Sequence, residues 1–296
     1  MCSLIIKKMI KSILILKVCL TISLFSFGQN DYINYHLKSF QARKLAYEQK
    51  LDSALVFYKQ AFELVDYIHI KNLKAANKIA KKLKDKPFYK ITSDKIKSFN
   101  NQSNFNNNYR KIIDSIAVED QIVRSNKYYQ AQQVYYKYMK DSLSNKTIDE
   151  FVQSQKLMTE WFHVDSMNIE KLLSLITKYG FPSEKNIGKE GYRKAFIVLL
   201  HFDTDQDNSI LKPIIDKALF NGDIAPDDYA WIIDRRLTWC QGKDPYYYHM
   251  PFGLDKLTEV EIKNINERRK KIGLRKLYEG VEITKDDMSI AIKELY

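Results

Sequence analysis

The chain has 296 residues, of which 45% are apolar and 28% charged, enough apolar content to bury a core and too much for a disordered protein. Its formal charge of +12 is local: four lysines in the first 28 residues, and ten lysines against two aspartates between Lys71 and Lys97, account for all of it. A global polycation is thereby excluded, and three cysteines are too few for a disulfide framework.

The first 28 residues read as a secretory signal peptide. Lys7, Lys8 and Lys11 form a basic start, Ile13 to Phe27 is a short apolar run, and Ser26 and Gly28 are the small residues of a cleavage site. The run falls short of the ~20 residues that span a bilayer, and Lys17 interrupts it. The expectation is an exported protein: periplasmic, associated with the outer membrane, or secreted. Cys2 and Cys19 leave with the leader, so the mature chain keeps Cys240 and forms no intrachain disulfide. Nucleic acid is a poor partner for such a protein.

From Tyr32 to Val65 apolar residues recur at helical spacing, as in Leu51, Ala54, Leu55, Tyr58, Ala61 and Phe62. With a preceding helix around Phe40 to Tyr47, the pattern resembles a tetratricopeptide hairpin in which Asp66 replaces the repeat's proline. Lys71 to Leu83 continues as a basic amphipathic helix that Pro87 stops. The lysine-rich stretch Lys71 to Lys97 holds no arginine, which removes bidentate phosphate recognition and leaves contact with an anionic surface or a solvated helix face. Ser98 to Asn108 is polar and of low complexity, so it reads as a linker or loop. The expected organisation is a tetratricopeptide-like helical region over 29–97, the linker over 98–108, a larger helical domain over 109–282 and a tail over 283–296.

A new helix opens at Tyr109 with Ile112, Ile116 and Val123 on its apolar side. Asp141 to Thr147 reads as a turn and Phe151 to Val164 as a helix, with Asp165 as the N-cap of a separate helix from Ser166 to Tyr179. Gly180 and Pro182 end that helix, and further helices are expected at Tyr192 to Phe202, Ile210 to Phe220, Tyr229 to Cys240 and Thr258 to Lys271. No apolar alternation of period two is sustained, so the expected fold is all-α: an N-terminal repeat-like helical hairpin plus a larger C-terminal helical bundle.

Several elements recur in an order that is distinctive as a set. They are Glu119-Asp120-Gln121-x-x-Arg124, Asp165-x-x-Asn168, Tyr179-Gly180-Phe181-Pro182, Gly188, Ala195, His201-x-Asp203, Asp234-Arg235 and Glu267-Arg268-Arg269-x-x-x-Gly273-Leu274. Together they resemble the bacterial domain of unknown function family numbered 6624, over about residues 110–281. The resemblance implies a boundary and a residue set, not a reaction. Where family members tend to carry a Tyr-Gly-Thr-Gln-like element, this chain reads Tyr246-Tyr247-Tyr248-His249-Met250-Pro251-Phe252-Gly253.

Chemistry is expected at a few polar residues. Asp203, Asp205 and Asp207 imitate the start of a calcium loop, but Ile214 stands where the bidentate Glu belongs. The acids are read as caps for the next helix, and neither a metal nor another cofactor is expected. His201 with Asp203 could form a base and its orienting acid, and Arg235 could hold an oxyanion. Trp231, Arg235 and Trp239, spaced by four, would stack the guanidinium between two indoles. Arg235 is equally suited to an internal pair with Asp120, Glu119 or Asp165. Asp120, Gln121, Arg124, Asp234 and His249 are the expected ligand-binding residues. Three readings stay open: a module of the cell envelope that binds a small molecule or an envelope protein, a hydrolase using the His/Asp/Arg set, and a structural helical domain.

Overall fold

The structure, a computed structural model, describes residues 31–101, 105–140, 148–202, 209–249 and 256–277. The expected leader, the expected turn at 141–147, the Asp203-Asp205-Asp207 loop, Met250 to Gly253 and the expected 283–296 tail lie outside the described residues. The helices are α1 (31–47), α2 (Leu51–Phe62), α3 (Ile70–Lys82), α4 (Lys86–Asn100), α5 (Asn107–Ile122), α6 (Asn126–Lys140), α7 (Ile148–Tyr179), α8 (Glu184–Leu200), α9 (Leu211–Phe220), α10 (Pro226–Arg235) and α11 (Glu259–Lys271). A π-helical turn, Arg236–Cys240, continues α10 directly. Among the described residues there is no β-strand, and the fold is all-α.

The helices fall into two compact units that alternate along the chain. One takes the described residues up to Ser93, then Ile214–Asp227, then 256–277; the other takes Asp94–Pro213 and Asp228–His249. The sequence reading drew one boundary at 98–108, whereas the first crossing falls inside α4 and the chain later returns twice to its starting unit.

In the first unit α1, α2 and α3 meet through small side chains. Ala42, Ala46, Ala54, Ala75, Ala76 and Ala80 surround Leu55, Tyr58 and Ile79, which lets the helices approach closely. Pro87 was expected only to stop a helix, and it also opens one. It occupies the second position of α4, where its missing N–H has no intrahelical role, and Asp85 accepts from the Phe88 N–H at 3.1 Å. Gly222, after α9, has φ +68°, and a Cβ there would lie 2.1 Å from the Tyr32 ring. Thr258 and Glu261 form a reciprocal capping box that starts α11.

In the second unit α7 is the long element, 32 residues or about 48 Å. Met158, Trp161, Asp165, Asn168, Leu172 and Leu175 follow one another at three- and four-residue steps, so two polar residues occupy an otherwise apolar seam. The expected helix start at Asp165 is absent, because α7 runs through it and its carboxylate is engaged by side chains rather than by its own backbone. Within the Asn-rich stretch, Asn106 caps α5 by accepting from Tyr109 N–H and donates its own N–H to Asn186 O at 2.9 Å. Phe105 packs against Gly188, where α8 is broken at φ +77°.

Candidate functional site

The site grows from a carboxylate placed on an apolar face. Tyr109, Ile113, Ile116, Ala117 and Asp120 are the buried residues of α5, at steps of one, three and four. Helical register therefore carries Asp120 into the core with the isoleucines, and its side chain is 1% exposed. A buried carboxylate without partners costs several kcal/mol, so the surroundings must supply donors.

They supply three. Arg124, one turn along, donates Nη1–H to Asp120 Oδ1 at 2.9 Å. Gln121 donates Nε2–H to Oδ2 at 2.7 Å. The third donor is His201, whose Nδ1 lies 2.9 Å from Oδ1 and 3.2 Å from Oδ2. His201 is the C-cap residue of α8, directly after Leu200.

Arg124 also reaches α7. Its two terminal nitrogens make a bidentate pair with the Asp165 carboxylate, both at 2.9 Å, and its plane lies 5.3 Å from the Trp161 ring. Trp161 donates its indole N–H to Asp165 at 2.9 Å. With its amide oriented to satisfy both neighbours, Asn168 donates to Glu119 at 3.0 Å. Burial raises the Asp165 carboxyl above its ordinary value, Arg124 opposes the shift and the Asp120 charge adds to it. One arginine thus bridges two acids, and His201 completes the ring of donors around Asp120.

The arrangement fixes the imidazole. An anionic acceptor on Nδ1 selects the Nδ1–H tautomer and leaves Nε2 as the nitrogen that gains or loses a proton. The sequence reading gave the orienting role to Asp203, which lies outside the described residues; the acid on Nδ1 is Asp120, 81 positions away in sequence.

Arg235 and its neighbours do something different. Arg235 Nε–H donates to Leu200 O at 2.9 Å, one residue before His201. Arg236, 1% exposed, donates to Phe202 O and, at 3.5 Å, to Leu199 O. These two arginines satisfy the carbonyls that the end of α8 leaves open. The anticipated acids Asp120 and Asp165 are engaged by Arg124. The expected double-indole stack is altered as well: the guanidinium of Arg235 lies 4.7 Å from Trp239, while Trp231 packs against Phe196 and His249. The contact that is kept spans the π turn, and the one that is lost lies within α10, where Trp231 is taken up by Phe196 and His249.

Asp234 is fully buried and accepts three backbone N–H groups, from Tyr246 and Tyr247 at 2.8 Å and from His249 at 2.7 Å. It anchors the aromatic loop, which includes Tyr248 at φ +49°. Asp234 therefore positions His249, whose ring lies 5.8 Å from Trp231. Asp120, Gln121, Arg124 and His201 form one hydrogen-bonded group, and Asp234, Arg235 and His249 belong to α10 and the loop it holds. Asp165, Trp161 and Asn168 were not expected as site residues, although polar residues on the apolar seam of α7 mark them. Among the described residues no group of three or more His, Cys, Asp and Glu is placed to hold a metal ion.

The fold and the site define an all-helical protein in which a buried carboxylate on the apolar face of α5 gathers an arginine and a histidine. A family profile described as "Family of unknown function (DUF6624)" matches residues 138–293, more than half of the chain, and the chain belongs to that family. No curated protein and no solved structure matches it. The resemblance read from the sequence began near residue 110, and the matched range begins later. His201 and Asp165 lie inside the match, whereas Asp120, Gln121 and Arg124 precede it.

Proposed function

We propose that the chain is an exported ligand-binding module of the cell envelope, and that a small polar ligand meets His201 at Nε2. The observation that carries this reading is the contrast within the pair: Asp120 is 1% exposed and fixes Nδ1, while the His201 side chain keeps 17% exposure. A histidine held in one tautomer presents one defined donor or acceptor, which is what recognition of a small polar molecule requires. Export rests on the basic and apolar leader of the sequence.

A second reading is favoured by the same carboxylate. With Asp120 on Nδ1, Nε2 is suited to take a proton from water or a hydroxyl, so the site would act as a hydrolase with His201 as general base. Arg235, fixed to the carbonyl next to His201, would supply the nearby positive charge.

The test is a thermal-shift screen of small carboxylates, phosphates and sugars, paired with ester and phosphate-ester turnover assays, on the wild type and His201→Gln. Binding predicts a ligand that raises the melting temperature of the wild type and not of the variant. Hydrolysis predicts turnover that the variant loses and that falls on the acid side of the pH profile, where a general base is protonated. A wild type that answers no ligand, together with a strongly destabilised His201→Gln, would assign the cluster to internal support and overturn both readings.

A further inference from the structure

The most concentrated charge in the chain lies outside this site, on α3. Lys71, Lys74, Lys78, Lys81 and Lys82 stand at i, i+3, i+7, i+10 and i+11, so they share one face, and all five are exposed. The opposite face, with Leu73, Ala76, Ile79 and Ala80, is buried. The core therefore holds the helix in place and presents the lysines as a straight row about 16 Å long.

Exposed lysines continue in sequence past the helix end. Lys84, Lys86 and Lys90 are also exposed, which brings Lys71 to Lys90 to eight lysines against one acid, Asp85. That acid is already engaged, by Lys59 at 2.7 Å and by the Phe88 N–H. Lys74, Lys81, Lys82, Lys84, Lys86 and Lys90 make no ion pair among the described residues. Next to Lys90 in sequence, Ile91 on α4 is an apolar side chain that is 52% exposed.

We propose that this face is a docking surface for an anionic lipid bilayer. Lysine ammonium groups act as point charges on flexible stems, suited to a diffuse layer of head groups, and no arginine is present for the bidentate phosphate contacts that dominate sequence-reading interfaces. An exposed isoleucine next to Lys90 fits the boundary between head groups and acyl chains. No described helix is long and apolar enough to cross a membrane, so the contact is peripheral and electrostatic. The inference goes beyond the His201 reading and is independent of it.

Co-sedimentation with vesicles tests it, using the chain from Gln29 onward, which keeps every described residue. Vesicles with about one-third phosphatidylglycerol should bind the protein, neutral phosphatidylcholine vesicles should not, and salt should release it. The triple variant Lys74→Gln, Lys81→Gln and Lys82→Gln should weaken binding on the order of 100-fold, at about 5-fold per lysine. A control triple with the same change in net charge, Lys256→Gln, Lys263→Gln and Lys270→Gln, should bind nearly as the wild type does. Equal loss in the two triples would overturn the proposal, as would tighter binding to heparin or single-stranded DNA than to the anionic vesicles. His201→Gln should bind vesicles unchanged, which separates failure here from failure of the ligand site.

Discussion

Asp120 shows how a single residue can organise a site. Its register on α5 forces burial, and burial forces it to recruit Arg124, Gln121 and His201. Removing the acid alone leaves three cationic or polar partners without this acceptor, so Asp120→Ala should cost about 3–5 kcal/mol, read as a lower urea midpoint. Another histidine, His36, behaves differently. His36 Nε2 is buried without a hydrogen-bond partner, and burial, with His69 and Arg43 adding to it, holds His36 well below its ordinary 6.5. The unfolded chain therefore binds a proton that the folded chain refuses. Its stabilisation is complete above about pH 6.5 and is lost as pH falls below it, at no more than about 1.4 kcal/mol per pH unit. His36→Phe keeps the ring contacts with Tyr35 and His69, and should lessen the fall in melting temperature between pH 7.5 and pH 5 relative to wild type.

At the scale of elements, helical periodicity made most of the architecture legible. The inward faces of α2 and α3 are those the spacing indicated, including Ala54, Tyr58, Ala76 and Ile79. Errors came where one residue admits two local roles. Asp165 is a good helix cap in isolation, but a salt bridge to Arg124 and the indole of Trp161 make it tolerable inside α7. Pro87 ends one helix and starts the next, so α4 was missed. Turns were easier, because glycine has a reason to be there. At Gly222 the left-handed φ and the Tyr32 ring 2.1 Å from a Cβ leave no room for a side chain. Gly222→Ala should cost about 2–3 kcal/mol of stability in chemical denaturation, whereas Gly242→Ala, with φ +62° and open space, should cost only about 1 kcal/mol.

For the whole molecule, the sequence conveyed the helical class, the family and several members of the polar cluster, because composition and ordered motifs carry that information. The alternation of two units along the chain left no compositional mark, since both are helical and both expose lysine. Nor does local pattern encode which acid meets His201, when Asp120 is separated from it by two intervening helices; only its place among Tyr109, Ile113 and Ile116 hints at burial. The most direct test of the central claim is histidine-selective nitrogen NMR of the wild type and Asp120→Asn. The account predicts that neutral His201 in the wild type is the Nδ1–H tautomer with a bare Nε2, that Asp120→Asn populates the other tautomer, and that a ligand found by thermal shift moves the Nε2 resonance. A wild-type His201 protonated on Nε2, or a bound ligand that leaves that resonance in place, would contradict it.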